Sequence, residues 1–372
     1  MKIMSEKNTK KTRIILAAGG TGGHLFPALA LADELINRGC DVLVATDDRG
    51  ARFQQDNVSF PVKQIASATL QPGITGKFKT FMNLGFGLVQ SMKMIFSFKP
   101  DVVIGFGGYP AFPPVYAAQV MGVKTIIHES NAVLGKANKM LARLAAQIAI
   151  SLPVTKGVTD TDKLKDKTVV TGNPIRPEIA AKTGAPYPKL TENSEIRIFV
   201  MGGSQGASIF SDILPAAIAL LPEQMKQRLH IVQQCRNEDL ERTKQTYKDI
   251  KVTADLESFF NDAAEQLEKC HLFIGRSGAS TVSDVAAIGR PAIFVPLRHA
   301  DNQQQINADV VADAGGGWVM AQQGFTAESL SARLEGMFAL PAGLVQAAAK
   351  SAAVGKSDAA IRLADLVIKT GH

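Results

Sequence analysis

The chain has 372 residues, 46% hydrophobic and 20% charged, which excludes a disordered tail protein and allows two or three domains at about 150 residues each. Three widely spaced cysteines, Cys40, Cys235 and Cys270, exclude a disulfide framework and point to a reducing compartment. The net charge of +7 has a location: no acidic residue lies between Asp56 and Asp101, where Lys63, Lys77, Lys79, Lys93 and Lys99 all occur.

From the N-terminus, Met1 to Arg13 is polar and basic, and the apolar run Ile14–Ala18 is too short for the core of a secretory signal, so none is expected. Ile14–Ala18 reads as a strand, Pro27–Arg38 as a helix, and Asp41–Ala45 and Asp101–Phe106 as strands. The uncharged run Val102–Val123 has the length of a membrane span, but Gly105, Gly107, Gly108, Pro110, Pro113 and Pro114 would break it. It reads instead as strand, loop and short helix. Lys124–His128 follows as a strand and Leu134–Ala145 as a helix.

At Ile196–Met201 the pattern restarts, with a strand running into Gly202-Gly203-Ser204-Gln205-Gly206 as Ile14–Ala18 runs into Gly19-Gly20-Thr21-Gly22-Gly23. Leu229–Gln233, His271–Ile274 and Ala292–Val295 read as further strands, with Ser280–Ile288 and Gln304–Ala314 as helices. The proline-bearing stretch Thr171–Lys189 reads as a linker. The expected class is α/β, with two doubly wound parallel-sheet domains facing across a cleft. They are expected over residues 11–172 and 173–353, with a helix at about 354–370 packing back on the first.

Two glycine turns in matching places, each opening a helix, point to anion binding by backbone N–H groups. Neither fits a known fingerprint. Leu25 holds the third glycine slot of the dinucleotide motif, and no Gly-Lys-Ser/Thr ends the second turn. Asp47 and Asp48 resemble a ribose-binding acid and are the best support for a nicotinamide reading. His24 closes the first turn, either as a general base on a hydroxyl or as a cap. His128-Glu129-Ser130-Asn131 follows a strand without the second histidine that a metal site needs. Asp160-Thr161-Asp162 sits in a polar loop and reads as solvated surface. Arg276-Ser277-Gly278-Ala279-Ser280-Thr281 opens a helix and suits a diphosphate, with Asp284 one turn on for a ribose. Adjacent amides at Gln303, Gln304 and Asn307 suit a polyhydroxylated sugar.

Together these stretches resemble the MurG family, the bacterial N-acetylglucosaminyltransferases of peptidoglycan synthesis. The resemblance runs from Gly19–Ala30 through Gly107-Gly108-Tyr109, His128–Asn131, Thr171–Arg176, Gly202–Ala207 and Arg276–Ala279 to His299–Asn307. It implies a GT-B fold and an inverting, metal-independent transfer of GlcNAc from UDP-GlcNAc to the 4-hydroxyl of undecaprenyl-diphospho-MurNAc-pentapeptide. No cofactor is implied. Carried over by position, Thr21, Gly22, Gly23 and His24 line the acceptor side and Asn131 reaches the GlcNAc. Arg176 and Phe260 frame the uracil, the latter mostly through backbone. Ser204 touches the diphosphate, with Arg276 and Ala279 at the second anion site; Asp284 meets the ribose, and Gln303, Gln304 and Asn307 meet the sugar.

His24 is the first choice of base, with Glu129 as runner-up or orienting partner; spacing gives no distance between them. Leu84, Leu88, Met92 and Ile95 keep helical spacing and should pack inward. Lys77, Phe78, Lys79, Phe81, Phe86 and Lys93 are then expected to form an interfacial patch, although any single phenylalanine is more often core. Expected partners are the two substrates, an anionic membrane surface and other cell-wall synthesis proteins, with no nucleic acid, at the cytoplasmic face of the inner membrane. A non-catalytic sugar-nucleotide-binding protein and an NAD-binding oxidoreductase are the rival readings.

Overall fold

The computed structural model describes residues 11–52, 59–67, 74–191, 193–203, 206–298 and 301–372, with only the backbone of Arg52 and of 74–81. The chain divides into two compact units, one running to Pro174 and regaining Asp358–His372, the other Ile175–Ser357.

The first unit holds seven parallel strands: β1 (Arg13–Ala17), β2 (Asp41–Thr46), β3 (Val62–Gln64), β4 (Val102–Gly105), β5 (Lys124–Glu129), β6 (Gln147–Ile150) and β7 (Thr168–Val170). Their order is β3-β2-β1-β4-β5-β6-β7, so the topology switches direction at β1 and β4. Both faces of β1 are buried. Ile14 and Leu16 pack on one side with Leu25, Leu31 and Leu35 of helix Gly22–Asn37. Ile15 and Ala17 pack on the other with Met94, Ile95 and Val115. This two-sided burial explains the continuous apolar strand sequences.

The second unit holds six: β8 (Ile196–Met201), β9 (Leu229–Gln234), β10 (Thr253–Glu257), β11 (Leu272–Gly275), β12 (Ala292–Phe294) and β13 (Gly317–Val319). All are parallel, in the order β10-β9-β8-β11-β12-β13. Ile196, Ile198 and Val200 face Phe210, Leu214, Leu330 and Leu334, while Phe199 faces Val282, Val285, Ala308 and Val311.

The last helix, Ala359–Gly371, lies in the first unit, burying Leu363 and Val367 against the helix Gly22–Asn37 side of its sheet. Arg38 ties it down through Asp365 and the Ile361 carbonyl.

Three of the elements read from the sequence differ in extent or in the face they bury. Helix Gly22–Asn37 starts five residues before Pro27, which sits inside it. The segment read as helix Leu134–Ala145 is helical only over Lys136–Leu141. On helix Ile74–Phe98, Met92 is exposed where inward packing was expected, and Met94 takes the buried place.

Candidate active site

In each unit the motif residues collect beyond the carboxyl ends of the strands, where open α/β sheets bind ligands. In the first unit the turn after β1 lies against the turn after β4. A Cβ on Gly107 would stand 3.4 Å from His24 Nε2 and 3.3 Å from Asn138 Nδ2. Gly107 has φ +82°, so this close approach falls where a side chain would also be strained. Because the helix begins at Gly22, His24 occupies its first turn, with its N–H donating to the Thr21 carbonyl at 3.0 Å. The Thr21 hydroxyl lies 2.9 Å from His24 Nδ1. Desolvation pushes the imidazole below its ordinary pKa, which favours the neutral ring.

Glu129 ends β5, buried and fully engaged. It accepts from Asn131 N and Nδ2 at 3.1 Å each, from Gly135 N at 2.8 Å and from Asn138 Nδ2 at 2.9 Å. Burial raises its pKa, and those donors oppose the rise. His128 is fully buried, with Nε2 3.2 Å from the Gly172 carbonyl, and desolvation lowers its pKa to about 4. Asn138 was not foreseen. It is 2% exposed, bonds to Glu129 and the His128 carbonyl, and leaves Oδ1 buried without a partner. A polar residue on the buried side of Lys136–Leu141, beside Ala137 and Leu141, was the available signal.

Asp47 is committed elsewhere. Its carboxylate accepts from Arg49 Nε and Nη2 and from Gly50 N, and it packs so closely on Gly20 that a Cβ there would collide with it. That arrangement counts against the nicotinamide reading. Asp160 accepts from Gly157 N at 2.7 Å and so closes a turn.

In the second unit the two later motifs form one site. Ser277 Oγ donates to the Gln304 carbonyl at 2.7 Å, and Asn307 Nδ2 donates to the Ser277 carbonyl at 3.3 Å. Gln304 Oε1 accepts from Leu297 N at 2.9 Å, which leaves its amide N–H groups as the part able to meet a ligand. Gln303 opens the helix, its backbone N–H donating to Asp301. Ala279 begins the helix that carries Asp284. Arg176 Nη2 donates to Asp284 Oδ2 at 3.2 Å, joining residues 108 apart in sequence. Burial raises the Asp284 pKa to about 6 against the pull of Arg176.

Arg276 is turned further inward than its place in the motif suggests. Nη1 donates to the Val295 carbonyl at 2.8 Å and the guanidinium stands over the Phe210 ring. The Phe260 ring is core, edge-on to Phe199 at 5.7 Å, so only its backbone could frame a base. Ser204, Gln205 and His299 lie outside the described residues, as do the side chains of Lys77, Phe78, Lys79 and Phe81.

Residues 14–150 match the glycosyltransferase family 28 N-terminal domain and residues 197–363 the family's C-terminal domain. The chain belongs to glycosyltransferase family 28. Family 28 relatives named UDP-N-acetylglucosamine--N-acetylmuramyl-(pentapeptide) pyrophosphoryl-undecaprenol N-acetylglucosamine transferase are similar over nearly the whole chain. The one from Rhodospirillum centenum is 49% identical, covering 95% of this chain and 93% of its own. The one from Paramagnetospirillum magneticum is 45% identical, covering 97% of both. The crystal structure of Acinetobacter baumannii MurG superposes with a TM-score of 0.77 at 30% identity, covering 96% of this chain and 99% of that one. The two parallel α/β units of this family 28 chain therefore have the GT-B fold.

Proposed function

We propose that the protein transfers GlcNAc from UDP-GlcNAc to the 4-hydroxyl of MurNAc in undecaprenyl-diphospho-MurNAc-pentapeptide, inverting the anomeric centre without a metal. The observation that carries this is identity of 45–49% over nearly the full chain to transferases named for that donor and acceptor. The geometry of the two sites supports the roles that follow.

His24 takes the proton. The acceptor hydroxyl gives its proton to Nε2 as its oxygen bonds to C1 of GlcNAc, and the bond from C1 to the diphosphate breaks with its electron pair leaving on UDP. Glu129 is the poorer base, because protonating it means abandoning one of four hydrogen bonds. Its role is to fix the turn that carries Asn131. The helix start at Ala279 and Ser204 receive the charge that develops on the diphosphate. Arg176 and Asp284 hold the nucleoside, and Gln303, Gln304 and Asn307 the sugar.

His24→Ala should lower kcat by roughly 10²–10⁴ with UDP-GlcNAc affinity near wild type. A mild His24→Ala beside a crippled Glu129→Ala would reverse the assignment.

The acceptor is a lipid, and we infer that helix Ile74–Phe98 brings the enzyme to the cytoplasmic face of the inner membrane. Met82, Phe86, Val89 and Phe96 are 61%, 62%, 52% and 74% exposed, and their spacing puts them on one face with exposed Lys93. Among the described residues no single helix is long and apolar enough to cross a membrane. A peripheral contact is the mode this stripe supports.

A further inference from the structure

Thr21 stands at the N-cap of helix Gly22–Asn37 with the extended backbone of a capping residue, φ −94° and ψ 142°, yet its side chain makes no capping bond. A threonine there ordinarily accepts from the backbone N–H of the second or third helical residue. The third residue here is His24. Its N–H goes to the Thr21 carbonyl, and the Thr21 hydroxyl meets the imidazole instead, 2.9 Å from Nδ1.

The other ring nitrogen is treated differently. Nε2 faces Gly107, whose missing side chain leaves that edge uncrowded, and it has no hydrogen-bond partner among the described residues. The nearby titratable groups are engaged elsewhere: His128 with Gly172, Glu129 with its four donors, and Asp47 with Arg49 and Gly50. The tautomer of a histidine is set by the bond its second nitrogen makes. A hydroxyl can accept or donate, but only by accepting does it leave a lone pair on Nε2.

We propose that Thr21 is a positioning residue for the transfer, its oxygen accepting the Nδ1–H of His24 so that Nε2 carries the lone pair that takes the acceptor proton. The bond persists as the ring becomes imidazolium and strengthens, since its donor is then charged. The site therefore resembles a base–orienter pair in which a neutral hydroxyl replaces the usual carboxylate. This rests on the reading of His24 as base.

The test is ¹⁵N NMR of histidine-labelled full-length enzyme, with kinetics, for wild type, Thr21→Val and Thr21→Ser. Wild type and Thr21→Ser should show His24 protonated at Nδ1, and Thr21→Val should shift it toward Nε2. Thr21→Val should lose on the order of 10- to 100-fold in kcat, the range for a hydrogen bond to a charged group, with KM for UDP-GlcNAc unchanged. The acidic limb of its kcat–pH profile should move to lower pH, because the imidazolium loses its acceptor. Thr21→Ser should restore both. An unchanged tautomer and limb in Thr21→Val, with His24→Ala inactive, overturns the role of Thr21 and leaves the base in place. An active His24→Ala removes the base, and with it this role, even if the NMR tautomer follows Thr21.

Discussion

Arg176, just before helix Pro177–Ala180, and Asp284, on helix Ala279–Ile288, form a hydrogen-bonded ion pair at 3.2 Å, and burial still holds the Asp284 carboxyl at about 6. Below that pH the carboxyl is neutral, so both its attraction for Arg176 and its strength as an acceptor for a ribose hydroxyl fall. UDP-GlcNAc affinity should weaken by about tenfold from pH 7 to pH 5, following the charged fraction. Asp284→Asn should bind weakly and flatly across that range. Titration calorimetry at several pH values reads both, and a pH-independent wild type would remove Asp284 from the donor site.

In the proposed sugar site Gln304 acts as a donor, since its Oε1 is held by Leu297 N. Gln304→Ala should weaken UDP-GlcNAc binding by about 1–3 kcal/mol and blunt discrimination against UDP-GalNAc. Gln304→Glu keeps an acceptor for Leu297 while losing the amide donor, and it should weaken the sugar contact too. Wild-type affinity in Gln304→Glu would mean that the amide meets no hydroxyl.

Much of this was legible in the sequence for physical reasons that also set its limits. Strands buried on both faces, such as β1, β4, β5, β8 and β11, are short apolar runs and read directly. The edge strands β3 and β10 are partly exposed and carry no such run; Thr253–Glu257 looks like a loop. β6 merges with the apolar stretch before it, which periodicity alone assigns to helix. The early start of Gly22–Asn37 was hidden because Gly22, Gly23 and Pro27 are all poor helix formers, and the helix is held by Leu25, Leu31 and Leu35 in the core. Among site residues, types and motif positions were readable. The pairings Thr21–His24, Arg176–Asp284 and Ser277–Gln304 and the four donors on Glu129 depend on how turns fold against each other, which spacing does not give.

His128 predicts an acid sensitivity of the first unit. Its folded pKa of about 4 lies below the unfolded value of 6.5, so between these the unfolded chain binds more protons. Stability is therefore lost as pH falls from 6.5 towards 4, by up to about 3 kcal/mol for this one group. Urea unfolding followed across that range should show the loss, and His128→Gln should reduce it. An equal slope in the variant would assign the effect to other groups.

The exposed stripe on helix Ile74–Phe98 makes a separable prediction. Lys77, Lys79 and Lys93 changed together to Glu should abolish binding to anionic vesicles, since each lysine near such a surface is worth about 1 kcal/mol. Phe86→Ser with Phe96→Ser should weaken binding even at high salt, because it removes the apolar part. Both should slow turnover of the long-chain lipid acceptor and spare a soluble short-chain one. Vesicle binding that survives both changes would place the membrane contact elsewhere.

The direct measurement of the reaction incubates the protein with radiolabelled UDP-GlcNAc and undecaprenyl-diphospho-MurNAc-pentapeptide in EDTA, then follows label into the lipid fraction. Transfer should proceed at an undiminished rate, with release of UDP and a β-linked product. No label in the lipid, or transfer that EDTA abolishes and a divalent ion restores, would contradict the proposed function.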